Sequence, residues 1–267
     1  MGKNDNLLTF GEHLEVLRKM LFRILALTVC IAAIVFCCKD ETFRLLLAPC
    51  EWNFVTFRRI EQLCALLGWG FHFEEYHIEL IATELSSQFM THLTTSLYLG
   101  LLGSSPYIMY ELFRFVSPAL YENERKYSVQ VVLTIYLLFI IGVLMSYYVI
   151  FPISFRFLGT YQVSEIVRST ITLSSYISSF TTLTLVMGLV FQLPVITFFL
   201  AKMGIIDSGL MKNYRRHAFM LILVVAAIIT PPDVFTQILV TLPLYILYEV
   251  SIRVVERCSQ ASNKNDA

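Results

Sequence analysis

The chain has 267 residues, of which 57% are hydrophobic and only 15% are charged, and its mean hydropathy is +0.67. A soluble domain carries about 25% charged residues, so this composition excludes an ordinary water-soluble domain and predicts a protein that lies in lipid. Basic and acidic residues number 20 each, which argues against nucleic-acid binding through bulk charge.

An amphipathic segment opens the chain. Apolar residues recur at 10, 14, 17 and 21, which is the spacing of one helical face. The pattern predicts a turn and a half of helix that lies on the cytoplasmic membrane interface ahead of the first span. This segment also carries the acids Glu12 and Glu15.

Six apolar runs follow, and each is predicted to be a membrane-spanning helix. Their bounds are Met20–Cys38, Gln88–Tyr110, Val129–Phe151, Tyr176–Leu200, Ala218–Thr230 and Val234–Val250. The last two are short: 13 residues, as in the fifth, reach about 20 Å, against a hydrocarbon core of about 30 Å. The prediction is an all-α membrane protein, with residues 1–255 as one six-span domain and 256–267 as a polar cytoplasmic tail.

Lys and Arg predict the orientation of these spans. Fourteen of them fall on the side of the two termini and six on the other side, over longer loops. Basic residues mark cytoplasmic loops, so both termini are predicted to be cytoplasmic. On the outer side, Cys50 and Cys64 share the first loop, where a disulfide and two free thiols are both open alternatives.

The loop between the second and third spans is short and acidic. It reads Ser-Pro-Ala-Leu-Tyr-Glu-Asn-Glu-Arg-Lys over residues 117–126, with carboxylates at Glu122 and Glu124. An acidic spot at an interface rich in Lys and Arg is poorly placed for lipid headgroups and well placed for a cationic ligand.

Two polar features interrupt the later spans. Gln192 lies within the fourth span, where its amide either satisfies the local backbone freed by Pro194 or bonds a polar group on a partner helix. The turn Pro231-Pro232-Asp233 separates the fifth span from the sixth.

Enzyme chemistry has little support in the sequence. It contains no phosphate-binding Walker loop, no Gly-rich dinucleotide loop and no H-E-x-x-H motif. His92 and Ser96 stand one helical turn apart, but no third orienting residue or oxyanion loop accompanies them. We therefore predict no catalytic residues, no metal and no cofactor.

Taken together, these motifs resemble the TatC family, the multi-spanning receptor of the twin-arginine protein translocase. Four blocks between about Gly11 and Arg253 carry the resemblance: His13-Leu14 … Leu17-Arg18; Ser105-Pro106 … Phe115 … Pro118-Ala119-Leu120-Tyr121 … Glu124-Arg125; Phe151-Pro152 … Phe155 with Gly188 … Phe191-Gln192-Leu193-Pro194; and Thr230-Pro231-Pro232-Asp233-Val234 … Gln237 … Pro243 … Leu247-Tyr248-Glu249.

The resemblance implies a receptor in the bacterial inner membrane that binds twin-arginine signal peptides of folded proteins at its cytoplasmic face. It implies export with TatA- and TatB-type single-span partners, self-association in the complex, and use of the proton-motive force. The implied signal-binding residues are Glu124, Glu122, Phe115, Pro118, Glu15, Glu12 and Arg18. Gln192 would contact partner helices, and Pro49, Pro231, Pro232 and Asp233 would shape the outer loops.

Two positions depart from the family pattern. The family usually reads His-Leu-x-Glu-Leu-Arg, but here Glu15 has moved by one residue, which is about 100° around a helix. Three alternatives follow for the contact with the signal peptide: Glu15 binds from a shifted direction, Glu12 substitutes for Glu15, or the contact is weaker. Some members carry Glu where this chain has Gln192, and a neutral amide cannot carry a proton.

The main alternative is a secondary transporter for a small solute. It predicts a substrate cavity near the bilayer midplane between internally repeated halves. The sequence shows no such repeat, and its acidic cluster lies at the surface. A scaffold role remains open because a receptor is also a scaffold.

Overall fold

The computed structural model describes residues 10–68, 73, 75–76, 78–116, 128–162, 164, 170–230 and 233–265. Over these residues the chain is almost entirely helical, which confirms the all-α prediction. Its helices are α1 (Phe10–Cys37), α2 (Lys39–Leu47), α3 (Val55–Leu66), α4 (Ser87–Val116), α5 (Ser128–Met145), α6 (Phe151–Thr160), α7 (Leu173–Val190), α8 (Leu193–Lys202), α9 (Ser208–Asn213), α10 (Arg215–Ile229) and α11 (Val234–Asn265).

Four short elements of the described residues join these helices. A 3-10 turn at Ala48–Cys50 follows α2, and a π-helical turn at Ser146–Ile150 connects α5 to α6. Strand β1 (Leu80–Ile81) pairs in parallel with β2 (Ile171–Thr172), with Leu80 opposite Ile171.

Four segments of the described residues are long and apolar enough to span a membrane: Leu14–Cys37, Val131–Thr160, Leu173–Lys202 and Val234–Cys258. They coincide with the first, third, fourth and sixth predicted spans. The second prediction falls in the 30-residue α4, and the fifth falls in the 15-residue α10, which reaches about 22 Å. The number of six spans and the cytoplasmic termini stay predictions.

The last span is not short, so that part of the prediction is wrong. Helix α11 has 32 residues, contains Pro243 and continues through most of the predicted polar tail. The physical reason is packing: Ile252 and Val255, beyond the end of the apolar run, are buried against Met211. The fourth span is also two helices rather than one, because α7 ends at Val190 and α8 begins at Leu193.

The chain folds into two compact units. The first lies within Met1–Thr42 and His92–Tyr136, and the second within Phe43–Thr91 and Leu137–Ala267. In the first unit, α1 and α4 approach closely along small side chains. Thr28 and Ser104 share a hydrogen bond of 2.8 Å across this interface. A Cβ atom added at Gly100 would lie 2.7 Å from the Cβ of Ala32, so only glycine allows this approach.

In the second unit, two tyrosines bind the carboxyl end of α2. The hydroxyl of Tyr147 donates to the carbonyl of Leu45 at 2.8 Å, and that of Tyr176 donates to the carbonyl of Leu46 at 2.7 Å. The last carbonyls of a helix have no partner within the helix, so these bonds stabilise its end. Pro49 is buried in the 3-10 turn that follows.

An aromatic cage holds the segment after α3 against α6. The guanidinium of Arg156 lies 5.1, 4.4 and 4.8 Å from the ring centroids of Phe57, Phe73 and Tyr76. Arginine over an aromatic face is attracted by the ring quadrupole, and burial strengthens the attraction. Burial also raises the pKa of Tyr76 to about 12, although the charge of Arg156 opposes the shift.

Gly100→Ala and Gly103→Ala test the close approach of α1 and α4. We expect Gly100→Ala to destabilise the protein by about 1–3 kcal/mol, because its methyl group would overlap the backbone of α1 at 2.8 Å from the carbonyl oxygen of Thr28. At Gly103 the nearest atom is the Cγ2 of Ile31 at 3.0 Å, which can move. There the higher helix propensity of alanine, about 1 kcal/mol, offsets the overlap. Thermal unfolding in detergent checks this, and equal losses would contradict it.

Cys50 and Cys64 are both free thiols, and Cys50 is predicted to resist alkylation. Burial raises the pKa of Cys50 to about 11, although the neighbouring hydroxyl group of Tyr176 opposes the shift. Because the thiolate is the nucleophile, the rate should rise about tenfold per pH unit up to about pH 11. Maleimide labelling measures this rate when it is followed by mass spectrometry at the peptide that contains Cys50, with detergent-denatured protein as control. Labelling at pH 8 as fast as in the denatured protein would show that the thiol is accessible and unshifted.

Candidate functional site

Glu15 and Arg18 lie near the start of α1, and both are exposed. The carboxylate of Glu15 forms an ion pair with Lys19 one turn later, at 2.9 Å. Exposed pairs of this kind contribute only about 0–1 kcal/mol, so a ligand cation can replace the lysine at little cost. The side chain of Glu12 lies outside the described residues.

Phe115 lies in the last turn of α4 and is half-buried. The acidic loop that follows α4 lies outside the described residues, including Pro118, Glu122 and Glu124. Of the predicted residues on α4 and in this loop, the structure therefore describes Phe115 and none of the carboxylates.

A buried acid in the first unit was not predicted from the sequence. The side chain of Glu111 in α4 is only 4% exposed, and its Oε1 lies 3.4 Å from the guanidinium of Arg23 on α1. The hydroxyl of Tyr107 donates to the same oxygen at 2.9 Å. A lone acid inside an apolar helix, four residues after a tyrosine, is the sequence signal that indicates such a site.

This cluster fixes α1 to α4 near the ends that carry the predicted site. A buried carboxylate is costly without a positive partner, and Arg23 is the cation that the structure places beside it. The pair lies on the same helices as Glu15 and Phe115. It therefore restricts how these two parts of the predicted surface can move.

The Arg23–Glu111 pair predicts a ranked set of stabilities. Arg23→Gln should lower the free energy of unfolding most, by about 1–2 kcal/mol, because it leaves a buried carboxylate without its cation. The loss stays in this range because half of the Arg23 side chain is exposed to begin with. Glu111→Gln should cost less, since its amide oxygen still accepts from Tyr107. The double variant should cost less than the sum of the two. Thermal unfolding measures these values, with exposed Arg18→Gln as the neutral control; additive losses would show that the two residues are not coupled.

Gln192 stands at the break between α7 and α8 and is buried. Its backbone N–H donates to the carbonyl of Leu189, and its own carbonyl accepts from Val195 and Ile196, each at 3.0 Å. The residue therefore joins two helices instead of lying within one, and its backbone polar groups are satisfied locally.

The turn between α10 and α11 is held by side chains. An oxygen of Asp233 accepts from the backbone N–H of Thr236 at 2.6 Å and caps α11. The amide of Gln237 donates to the carbonyl of Leu223 on α10 at 3.1 Å. Pro231 and Pro232 lie outside the described residues.

Ion pairs fix the other end of the second unit. Glu249 on α11 pairs with Arg215 on α10, and Glu256 pairs with Lys212 on α9, at 2.9 and 2.8 Å. Among the described residues, no group of three or more His, Cys, Asp or Glu side chains is placed to hold a metal ion.

Comparison with known proteins places these features in a family. Residues 12–243 match the family model described as Sec-independent protein translocase protein (TatC). The chain belongs to the TatC family. The TatC of Blattabacterium sp. subsp. Periplaneta americana is 35% identical over 256 residues, which cover 94% of this chain and 96% of that protein. The TatC of Helicobacter pylori is 42% identical over 163 residues, covering 61% and 64%.

The fold agrees with that membership. A crystal structure of the twin-arginine translocase receptor TatC superposes with a TM-score of 0.73 at 28% identity, covering 93% of this chain and all of the other. Membership in a family of membrane translocase proteins also fits the apolar helices. The resemblance stated from the sequence motifs is confirmed.

Proposed function

We propose that this protein is the receptor of a twin-arginine translocase and binds twin-arginine signal peptides at the cytoplasmic face of the bacterial inner membrane. The observation that carries the proposal is the match of residues 12–243 to the TatC model, together with the likeness to a solved twin-arginine translocase receptor. Folded cargo would be exported with TatA- and TatB-type single-span partners in a self-associating complex. The proton-motive force would supply the energy.

The chemistry of the acidic loop supports this assignment. Two guanidinium groups present ten donors in fixed planes, and carboxylates at a partly desolvated interface bind them through paired hydrogen bonds. Glu124 is the proposed main ligand, with Glu122 beside it. Phe115 and Pro118 would form the apolar wall of the site.

The start of α1 would supply the second half of the surface. Glu15 is exposed and forms an ion pair with Lys19, so a signal-peptide arginine could take the place of the lysine. Arg18 would complete the polar edge, and Glu12 would supply a second carboxylate. The Arg23–Glu111 pair supports this arrangement because it holds α1 against α4.

Photocrosslinking tests the receptor assignment. A photoreactive residue replaces Asn123, which keeps the carboxylates of Glu122 and Glu124, and is exposed to a signal peptide carrying Arg-Arg and to the same peptide carrying Lys-Lys. We expect crosslinks to the arginine peptide alone, because lysine cannot form the planar bidentate contact. Equal crosslinking would mean that the loop recognises positive charge in general. Absence of both crosslinks would return the function to competition with solute transport, which uptake by vesicles containing this protein alone would reveal.

Glu124→Gln should weaken binding of the arginine peptide about tenfold or more, since a charge-assisted hydrogen bond contributes about 1.5–3 kcal/mol. Peptide titration in detergent measures this affinity. Glu256→Gln is the matched control, because it removes an exposed acid from α11 that pairs with Lys212. Unchanged affinity in Glu124→Gln, or an equal loss in both variants, would contradict the role of Glu124.

Gln192→Leu should leave signal-peptide binding intact and reduce co-purification with the single-span partners. An amide in lipid can donate and accept across a helix interface, and such bonds contribute about 0.6–2 kcal/mol. Thr197→Val in α8 is the control, because its hydroxyl donates to the carbonyl of Leu193 in its own helix. If both variants retain the partners equally, the Gln192 amide serves only its own chain.

A further inference from the structure

The second unit contains a cavity of about 300 Å³ between α6, α7 and α11. At one end it reaches Leu158, close to the end of α6 at Thr160, and Ile171, just before α7. At the other end it reaches Leu183, ten residues into α7, or about 15 Å along that helix. The cavity thus runs from the ends of apolar helices into their middle.

The described residues that line this cavity are apolar or carry hydroxyl groups, and none of them is charged. Phe151, Phe155 and Leu183 supply large apolar surfaces. Ser154 and Thr236 contribute hydroxyls from α6 and α11, and both residues are more than nine-tenths buried. A neutral, mixed lining of this kind fits a ligand with an apolar chain and uncharged hydrogen-bond acceptors.

The two hydroxyls differ from those of five other residues in α7, α8 and α11. Thr181, Thr184, Thr197, Thr241 and Ser251 each donate to the carbonyl four residues earlier. In contrast, the hydroxyls of Ser154 and Thr236 have no hydrogen-bond partner among the residues that the structure describes. Burying an unpartnered hydroxyl costs free energy, so both groups favour a ligand that accepts a hydrogen bond.

We propose that this cavity binds one acyl chain of a membrane glycerophospholipid, with the ester carbonyl bonded by Ser154 and Thr236. Three observations select this occupant. The three helices belong to segments apolar enough to span a membrane, so lipid is the surrounding medium. The cavity begins near the ends of apolar helices, where a spanning helix would meet the interfacial region of a bilayer. Ligand cavities usually measure about 300–1,000 Å³, and this cavity is at the lower end of that range. It therefore has room for part of a lipid and not for a whole one.

The inference does not depend on signal-peptide binding. An acyl chain here would fill the space between three helices, since the interior of a protein is otherwise packed without voids. It would also satisfy two buried hydroxyls that the chain leaves unpaired. The ligand would act as a structural part of the second unit.

A photoactivatable lipid tests the proposal on the full chain. The probe is a phosphatidylcholine with a diazirine near the ester, included in vesicles of phosphatidylethanolamine and phosphatidylglycerol that contain the protein. After illumination, mass spectrometry locates the labelled peptides. We expect residues 151–158 and 173–183 to be labelled above the exposed surface around Leu189.

Two neighbouring serines give a matched pair of variants. Ser179 lines the cavity, whereas Ser178 is exposed on the same helix. Ser179→Phe should reduce cavity labelling about fivefold because the ring fills the space, and Ser178→Phe should leave it unchanged. Equal labelling in the two variants, or cavity labelling no higher than around Leu189, would overturn the proposal.

A second pair of variants removes the hydroxyls of Ser154 and Thr236. These changes add no volume to the core, so they test the proposal even if Ser179→Phe fails to fold. Ser154→Ala and Thr236→Val should each reduce labelling about threefold, the effect of one lost hydrogen bond. Unchanged labelling in both would overturn the assigned role of the ester carbonyl. A photoreactive residue at position 179 that crosslinks to a co-purified single-span protein instead of to lipid would assign the cavity to a partner helix and overturn the lipid occupant.

Discussion

The structure depends on one constraint of the hydrocarbon phase: every backbone N–H and carbonyl must find a partner inside the protein. Long helices meet that need, and hydrogen bonds support several of the places where the helices are interrupted or end. At the π-turn of Ser146–Ile150, the hydroxyls of Ser146 and Thr184 share a hydrogen bond of 3.2 Å. At the break between α7 and α8, the carbonyl of Gln192 accepts two backbone N–H groups. The carboxyl end of α2 is completed by Tyr147 and Tyr176.

Close helix packing then decides where charges can be placed. Gly100 allows α1 to approach α4, and this approach brings Arg23 within reach of Glu111. A carboxylate that is only 4% exposed requires such a partner, so the small residues and the ion pair depend on each other. The consequence for the proposed function is mechanical. Two helices that would present separate parts of a peptide-binding surface are fixed to each other near that surface.

The sequence was sufficient for the fold class, the positions of the main helices and the family, because long apolar runs and ordered motifs are strong signals. It was insufficient where tertiary packing overrides hydropathy. The extension of α11 depends on Ile252 and Val255 meeting Met211, which no local pattern reveals. The cage around Arg156 joins residues about 80 to 100 positions apart along the chain. The break before Gln192 was hidden because Pro194 is compatible with the first turn of a new helix as well as with a kinked one.

The polar groups of this chain also restrict how transport could use a proton gradient. Gln192 is neutral at every pH in the cell, so a proton-carrying role is excluded at the position where some family members have an acid. What remains there is hydrogen bonding at a helix break, where an amide can both donate and accept. The buried acid that the structure does describe, Glu111, is paired with a permanently charged arginine. Any coupling through Gln192 must therefore act by a change of contacts and helix geometry, and under the proposed partner role of Gln192, helices that bind and leave this break would provide such a change.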